Sequence, residues 1–202
     1  MIAVIDYHVG NLGSVTNAFK RLGMEVEVTN DPDVIRQADG IILPGVGTFP
    51  VAMKNLEECH LIDVLKEVKE QGTPIMGICL GMQVLFEKGY EIHETQGLGF
   101  LKGTVGLMEV DDKIPHMGWN QLVFQQDHPI LKNIKENDYV YFVHSYCASC
   151  PDDELVAYAN YGGKKITALV AKDNVIGCQF HPEKSGEVGK KILLAFKELV
   201  EC

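Results

Sequence analysis

No stretch of the 202-residue sequence stays apolar for the roughly eighteen residues that a membrane-spanning helix needs, so no membrane span is expected. Basic residues are in the minority, 18 Lys and Arg against 28 Asp and Glu, and the net charge is −10. Nothing resembles a basic stripe that could displace counterions from phosphate, so nucleic acid is not an expected partner. The chain does not open on a basic segment followed by a long apolar one. Ile2-Ala3-Val4-Ile5 enters a strand-like run at once. The expectation is a cytoplasmic protein without a signal peptide. Linkers, repeats and low-complexity segments are also missing.

Cysteine is not scarce, but its use is restrained. Six cysteines (59, 79, 147, 150, 178, 202) stand in a chain with no secretory signal and enough apolar residues, 46%, for a large core. Free thiols in a reducing compartment are the expectation, not a disulfide framework. Cys147-Ala148-Ser149-Cys150 is formally C-x-x-C, yet it runs into Pro151 with no helix to open and no second pair to close a zinc site. Pro44-Gly45-Val46-Gly47 has no Walker lysine, and no G-x-G-x-x-G occurs. No metal and no cofactor are expected.

What is present centres on Gly77-Ile78-Cys79-Leu80-Gly81-Met82-Gln83. Pro74-Ile75-Met76 leads into it as a buried strand, and Met82, Leu85 and Phe86 follow at helical spacing. A cysteine at a strand-to-helix turn, with glycine two residues before and two after, is the nucleophile-elbow pattern with sulfur in place of oxygen. The turn crowds the backbone, so its flanks must lack a Cβ. The expected helix aims N–H groups and its positive end at the thiol, favouring thiolate. The Leu80 amide is placed to donate to a developing oxyanion.

Around the elbow the first half alternates. Strands are expected over 2–6, 25–29 and 40–43, and helices over 14–22, from Asp31-Pro32, and over 50–70 with a break near His60. The second half reads as strands over 103–110, 120–124, 138–147, 155–161, 166–171 and 175–180, with a turn at 172–174, then a helix over 186–200. The order implies one α/β domain over 1–202. Its sheet is open, mixed and mostly parallel, covered by helices, with an antiparallel extension in the second half.

A thiolate nucleophile needs a base, and the base needs an orienter. Of seven histidines, only His181 stands directly after a buried strand with a carboxylate close by, in Gln179-Phe180-His181-Pro182-Glu183. Strands of an open α/β sheet end at the ligand crevice, so His181 is the expected base and Glu183 its orienter. His144, in Phe142-Val143-His144-Ser145-Tyr146, is the competitor, but no carboxylate lies near it in sequence. A second oxyanion donor should come from the Pro44-Gly45-Val46-Gly47 loop, where glycine lets amides approach a ligand. These residues describe a cysteine hydrolase or acyl-transferase acting on a small amide or ester.

The elbow and His181-Pro182-Glu183 together resemble the class I, triad-type glutamine amidotransferases, whose flavodoxin-like fold suits the predicted order. Four further stretches are similar to the glutaminase subunits of imidazole glycerol phosphate synthases. They are Asp6-Tyr7-His8-Val9-Gly10-Asn11-Leu12-Gly13-Ser14-Val15, Pro44-Gly45-Val46-Gly47 with Phe49, Pro115-His116-Met117-Gly118-Trp119-Asn120, and His181-Pro182-Glu183-Lys184-Ser185. His8-Val9 is a local departure. The resemblance implies hydrolysis of glutamine to glutamate and ammonia by Cys79, His181 and Glu183. It implies oxyanion amides at Val46 and Leu80, and glutamine contacts at Gly45, Gly47, Gln83, His144, Ser145 and Tyr146. Ammonia would pass to a separate cyclase, a (β/α)₈ barrel in a 1:1 heterodimer. The cyclase would make imidazole glycerol phosphate and an aminoimidazole carboxamide ribotide in histidine biosynthesis. Asn11, Trp119 and Lys184 would face that partner, although Trp119 could equally be core, Lys184 a solvated lysine and Asn11 a turn residue.

Three rival classes stand beside this. A glutaminase of another pathway lacks the 6–15 and 115–120 stretches. A free-standing cysteine peptidase or γ-glutamyl hydrolase would need no partner and would be fully active alone. A binding module on the same fold would have no need of Cys79, His181 and Glu183. No synthase domain follows the last helix, so the acceptor chemistry is expected on another polypeptide.

Overall fold

The computed structural model describes residues 1–202. Its centre is an eight-stranded sheet. Strands β1 (Ile2–Ile5), β2 (Val26–Thr29), β3 (Gly40–Leu43), β4 (Ile75–Ile78) and β14 (Val175–Cys178) run parallel in the order β2-β1-β3-β4-β14. The antiparallel extension follows as β13 (Lys164–Lys172), β12 (Leu155–Tyr161) and β9 (Val123–Phe124). An open, mostly parallel sheet with an antiparallel second half is the expected class.

The period of two along each buried strand makes two cores from one sheet. Ala3, Ile5, Ile41, Leu43 and Ile75 enter one apolar cluster, with Leu56, Leu65 and Val68 of the covering helices α3 (Phe49–Glu58) and α4 (Leu61–Glu70). Their neighbours Ile2, Val4, Ile42, Met76 and Ile78 enter the other, under Phe19 of α1 (Leu12–Arg21) and Ile192 and Phe196 of α6 (Gly186–Val200).

Local signals set the helix ends. Asp31 Oδ1 accepts from the Asp33 amide at 2.9 Å, and Pro32 opens α2 (Pro32–Gln37). His60, at φ 57°, breaks the expected long helix into α3 and α4. Helix α1 begins two residues earlier than the sequence suggested, because the Asn11 side chain caps it by accepting from the Ser14 amide at 3.3 Å.

Two expectations are corrected. The elbow helix α5 (Leu80–Gln83) is one turn, and Phe86 opens strand β5 (Phe86–Gly89) instead of extending a helical face. The Val84 carbonyl accepts from the Leu98 amide at 2.8 Å, and the Leu85 carbonyl from Phe100 and Leu101. Those acceptors are lost to the i+4 amides a longer helix would use. The strand read over 138–147 is two, β10 (Tyr139–His144) and β11 (Tyr146–Ser149), divided at Ser145. β10 pairs with β8 (His116–Gln121) as a separate ribbon. β11 joins β7 (Leu101–Leu107), β5 and β6 (Thr95–Gln96) in a four-stranded sheet. The strands of the second half thus belong to three sheets.

Candidate active site

Cys79 leaves β4 at φ 55° and ψ −112°, a conformation strained for any residue with a Cβ. A Cβ on Gly81 would sit 1.7 Å from the Leu43 carbonyl oxygen, and one on Gly77 would sit 2.6 Å from the Gly81 oxygen. Both glycines are therefore demanded by close packing of the elbow on itself and on the end of β3. With a single helical turn behind it, the thiol faces the amides of that turn and not the end of a long helix.

Parallel pairing of Cys178 with Ile78 carries both strands to one edge of the sheet, where Cys79 and His181 emerge together. His181 Nδ1 lies 2.8 Å from Glu183 Oε1, and both side chains are buried. Nε2 of His181 has no hydrogen-bond partner within the chain. Burial opposes a charge on His181, but its interactions with Cys79 and Glu183 outweigh this and raise its pKa to about 9. Ser185 holds the loop, with its hydroxyl donating to the His181 carbonyl at 2.7 Å and accepting from the Tyr141 amide at 2.9 Å.

His144 has no nitrogen to spare. Nδ1 is 2.8 Å from the Tyr146 carbonyl, and Nε2 is 3.0 Å from His116 Nδ1. The carbonyl only accepts, so His144 carries its proton on Nδ1 and takes one from His116 on Nε2. His116 Nε2 in turn accepts from Asn120 at 3.2 Å. Burial lowers both histidines to about 4 and keeps them neutral.

A cleft of about 280 Å³ opens over Cys79. Leu80, Gln83, His181 and Lys184 line it, as do Val46 and Gly47 from the glycine loop and His144, Ser145 and Tyr146 from the β10–β11 junction. The Val46 amide makes no hydrogen bond within the chain, and the Leu80 amide, first in α5, has no intrahelical acceptor. Four expected site residues, Glu183, Gly45, Asn11 and Trp119, lie off the cleft wall. Glu183 stands behind His181, Gly45 is buried against Leu80 and Gly81, and Asn11 caps α1. Trp119 is 55% exposed and meets Tyr141 edge-on, so it is not core. Lys184 is exposed and makes no ion pair. A second cleft, of about 320 Å³ between α1 and α6, is lined by no cysteine, serine, threonine or histidine.

Three residues escaped the sequence reading. Glu91 lines the cleft and uses Oε2 to accept the Phe49 amide at the start of α3, at 2.8 Å. It lies in an irregular loop, with no pattern to mark it. His116 was visible only as part of a longer resemblance. Gln179 is fully buried and donates to Cys79 Sγ at 3.7 Å. Its signal was available, since it is the one amide in the otherwise apolar run 175–180.

A cysteine on a strained elbow, a histidine held by a glutamate and two unpaired amides over one cleft define a cysteine-dependent acyl-transfer enzyme. Residues 3–201 match the family model for class-I glutamine amidotransferases. The imidazole glycerol phosphate synthase subunit HisH of Lactococcus lactis is 60% identical over 197 residues, covering 98% of both chains. That of Bacillus cereus is 50% identical over 202 residues, 100% of this chain and 96% of the relative. The chain belongs to the class I glutamine amidotransferase family, and within it to the HisH group. A solved glutamine amidotransferase superposes with a TM-score of 0.79 at 20% identity over all of both chains. A chain of PurLQS from Thermotoga maritima gives 0.77 at 22% identity, over 98% of this chain and 97% of that one. At such identities these two speak for the fold alone.

Proposed function

We propose that the chain is the glutaminase subunit of an imidazole glycerol phosphate synthase, a single glutamine amidotransferase domain over 1–202. Cys79 Sγ, its proton already passed to His181 Nε2, attacks the side-chain amide carbon of glutamine as a thiolate. The carbonyl electron pair moves onto oxygen, between the Val46 and Leu80 amides. As the C–N bond breaks, His181 gives its proton to the departing nitrogen and ammonia leaves a γ-glutamyl thioester on Cys79. Water, deprotonated by His181, releases glutamate and the thiol. Glu183 fixes the imidazole tautomer and offsets its charge. Both hydrogens of Gln83 Nε2 are taken, by the Tyr146 carbonyl at 3.1 Å and Gln179 Oε1 at 3.0 Å. Its Oε1 is left to accept from the substrate's α-ammonium group, for which the Glu91 carboxylate is a counter-charge.

The partner is a (β/α)₈ cyclase in a 1:1 heterodimer in the cytoplasm, converting the ammonia to imidazole glycerol phosphate and an aminoimidazole carboxamide ribotide. Asn11, Trp119 and Lys184 face it. The observation that carries the reading is the division between the two histidines of the cleft: His181 has Nδ1 on a carboxylate and Nε2 open, whereas His144 is fully bonded. The test is glutamate release from glutamine by the chain alone and with its cyclase. Equal turnover in both would favour a free-standing hydrolase, and none in either would remove the assignment.

A further inference from the structure

One backbone carbonyl fixes the direction of the side-chain hydrogen bonds that lead to the nucleophile. Tyr146 O accepts twice, from His144 Nδ1 and from Gln83 Nε2. Because a carbonyl cannot donate, the nitrogen end of Gln83 must point at it. That same nitrogen lies 3.0 Å from Gln179, so the end of Gln179 facing it must be the oxygen. The Gln179 amide nitrogen is thereby turned toward Cys79 Sγ, 3.7 Å away. Reversing Gln179 would set two donors against each other in a site that water does not reach.

The sulfur has one other polar contact of note, the Val143 carbonyl at 4.0 Å, to which only a protonated thiol can donate. The remaining titratable groups about it are His181 and Glu183 from the loop after β14, Cys178 at the end of β14, Tyr7 after β1 and His144 from β10. Tyr7 OH donates to the Pro44 carbonyl, and Cys178 Sγ is directed at the Gly77 carbonyl. Neither is free to serve the sulfur.

We propose that Gln179 belongs to the reaction centre: its amide N–H donates to the Cys79 sulfur and stabilises the thiolate, locked in that orientation through Gln83 by the Tyr146 carbonyl. The inference rests on Cys79 being the nucleophile. A donor aimed at the sulfur favours its charged form over the thiol, whose proton turns to Val143 instead. It also keeps the sulfur pointed into the cleft.

The test measures the sulfur directly. The full chain, Gln179→Leu and Gln179→Glu are alkylated with chloroacetamide over a range of pH, and modification of Cys79 is followed by peptide mass. In Gln179→Leu the midpoint of the profile should move up by about one pH unit, so the rate at neutral pH falls about tenfold while the alkaline plateau is kept. Gln179→Glu should move it further, since a carboxylate opposes the thiolate. An unmoved midpoint, or a plateau lowered equally at every pH, would overturn the proposal. If both variants fail to fold, the side-chain amide resonance of Gln179 in the unaltered chain decides. It should shift when Cys79 is alkylated, and a fixed resonance refutes the contact. Glutamine hydrolysis that survives Cys79→Ala would overturn the glutaminase reading separately, whatever the alkylation profile shows.

Discussion

His116 donates from Nδ1 to Nε2 of His144 across 3.0 Å, and the Tyr146 carbonyl holds the other nitrogen of His144 at 2.8 Å. The two histidines that open toward the cleft are therefore chemically distinct, although the sequence offers both beside apolar strands. His181→Ala should lower kcat by roughly 10²–10⁴, the range of a positioned general base. Glu183→Gln should lose distinctly less, since an orienter fixes tautomer and charge without taking the proton. His144→Gln should lose far less than His181→Ala. An inert His181 beside an essential His144 in steady-state glutaminase assays would reverse the assignment.

The same histidines make stability depend on pH from both sides. His181 is raised from 6.5 to about 9, so its contribution is complete below about 6.5 and is lost as pH rises through about 9. His116 and His144 are lowered from 6.5 to about 4, so theirs is complete above about 6.5 and is lost as pH falls through about 4. Urea midpoints should therefore peak near neutrality. His144→Gln should flatten the acid limb and Cys79→Ala the alkaline one. Parallel curves for the parent and both variants would sink the argument.

Cys79→Ala should abolish glutamine-dependent synthesis in the complex with the cyclase, yet leave synthesis from added ammonium salt. On the proposed mechanism the sulfur serves only amide cleavage, and the acceptor chemistry would lie on the cyclase. Loss of both activities in the same preparation would contradict that division of labour.

On the proposed mechanism the glycine loop is able to act as a gate. Gly47 stands at φ 123°, where L side chains rarely go, next to the Val46 amide that has no acceptor. A small backbone rotation there can withdraw or present that amide, and one such donor is worth about 3–4 kcal/mol, or roughly 10²–10³ in rate. Glutaminase kcat should rise from the lone chain to the complex, and again when the cyclase holds its phosphorylated ligand. To the extent that the ligand also tightens glutamine binding, linkage requires a glutamine analogue to tighten that ligand. Equal kcat in all three states would remove the gate.

Gly81→Ala should destabilise the fold by roughly 2–4 kcal/mol, because the new Cβ meets the Leu43 carbonyl at 1.7 Å and backbone must shift. Thermal unfolding and Cys79 alkylation should fall together. An unchanged melting temperature would mean that the elbow is not tightly seated on β3.

Much of this protein is determined by short-range chemistry. The strands expected over 2–6 and 40–43 and from Pro74-Ile75-Met76, the Asp31-Pro32 cap and the His60 break are statements about φ, ψ and side-chain period within a few residues, and each has its counterpart in the fold, to within a residue or two. The elbow cysteine and the His181–Glu183 pair were legible for the same reason, since a two-residue spacing already brings that carboxylate to that imidazole. What only the tertiary structure decided depends on partners far along the chain. Phe86 is strand and not helix because residues 98–101 take the carbonyls of Val84 and Leu85. Trp119 is exposed because β8 pairs with β10 in a ribbon of its own, outside the central sheet. Gln179 meets Cys79 across 100 residues of sequence, through an orientation set by the Tyr146 carbonyl, and hydrogen-bond direction of that kind has no sequence signature.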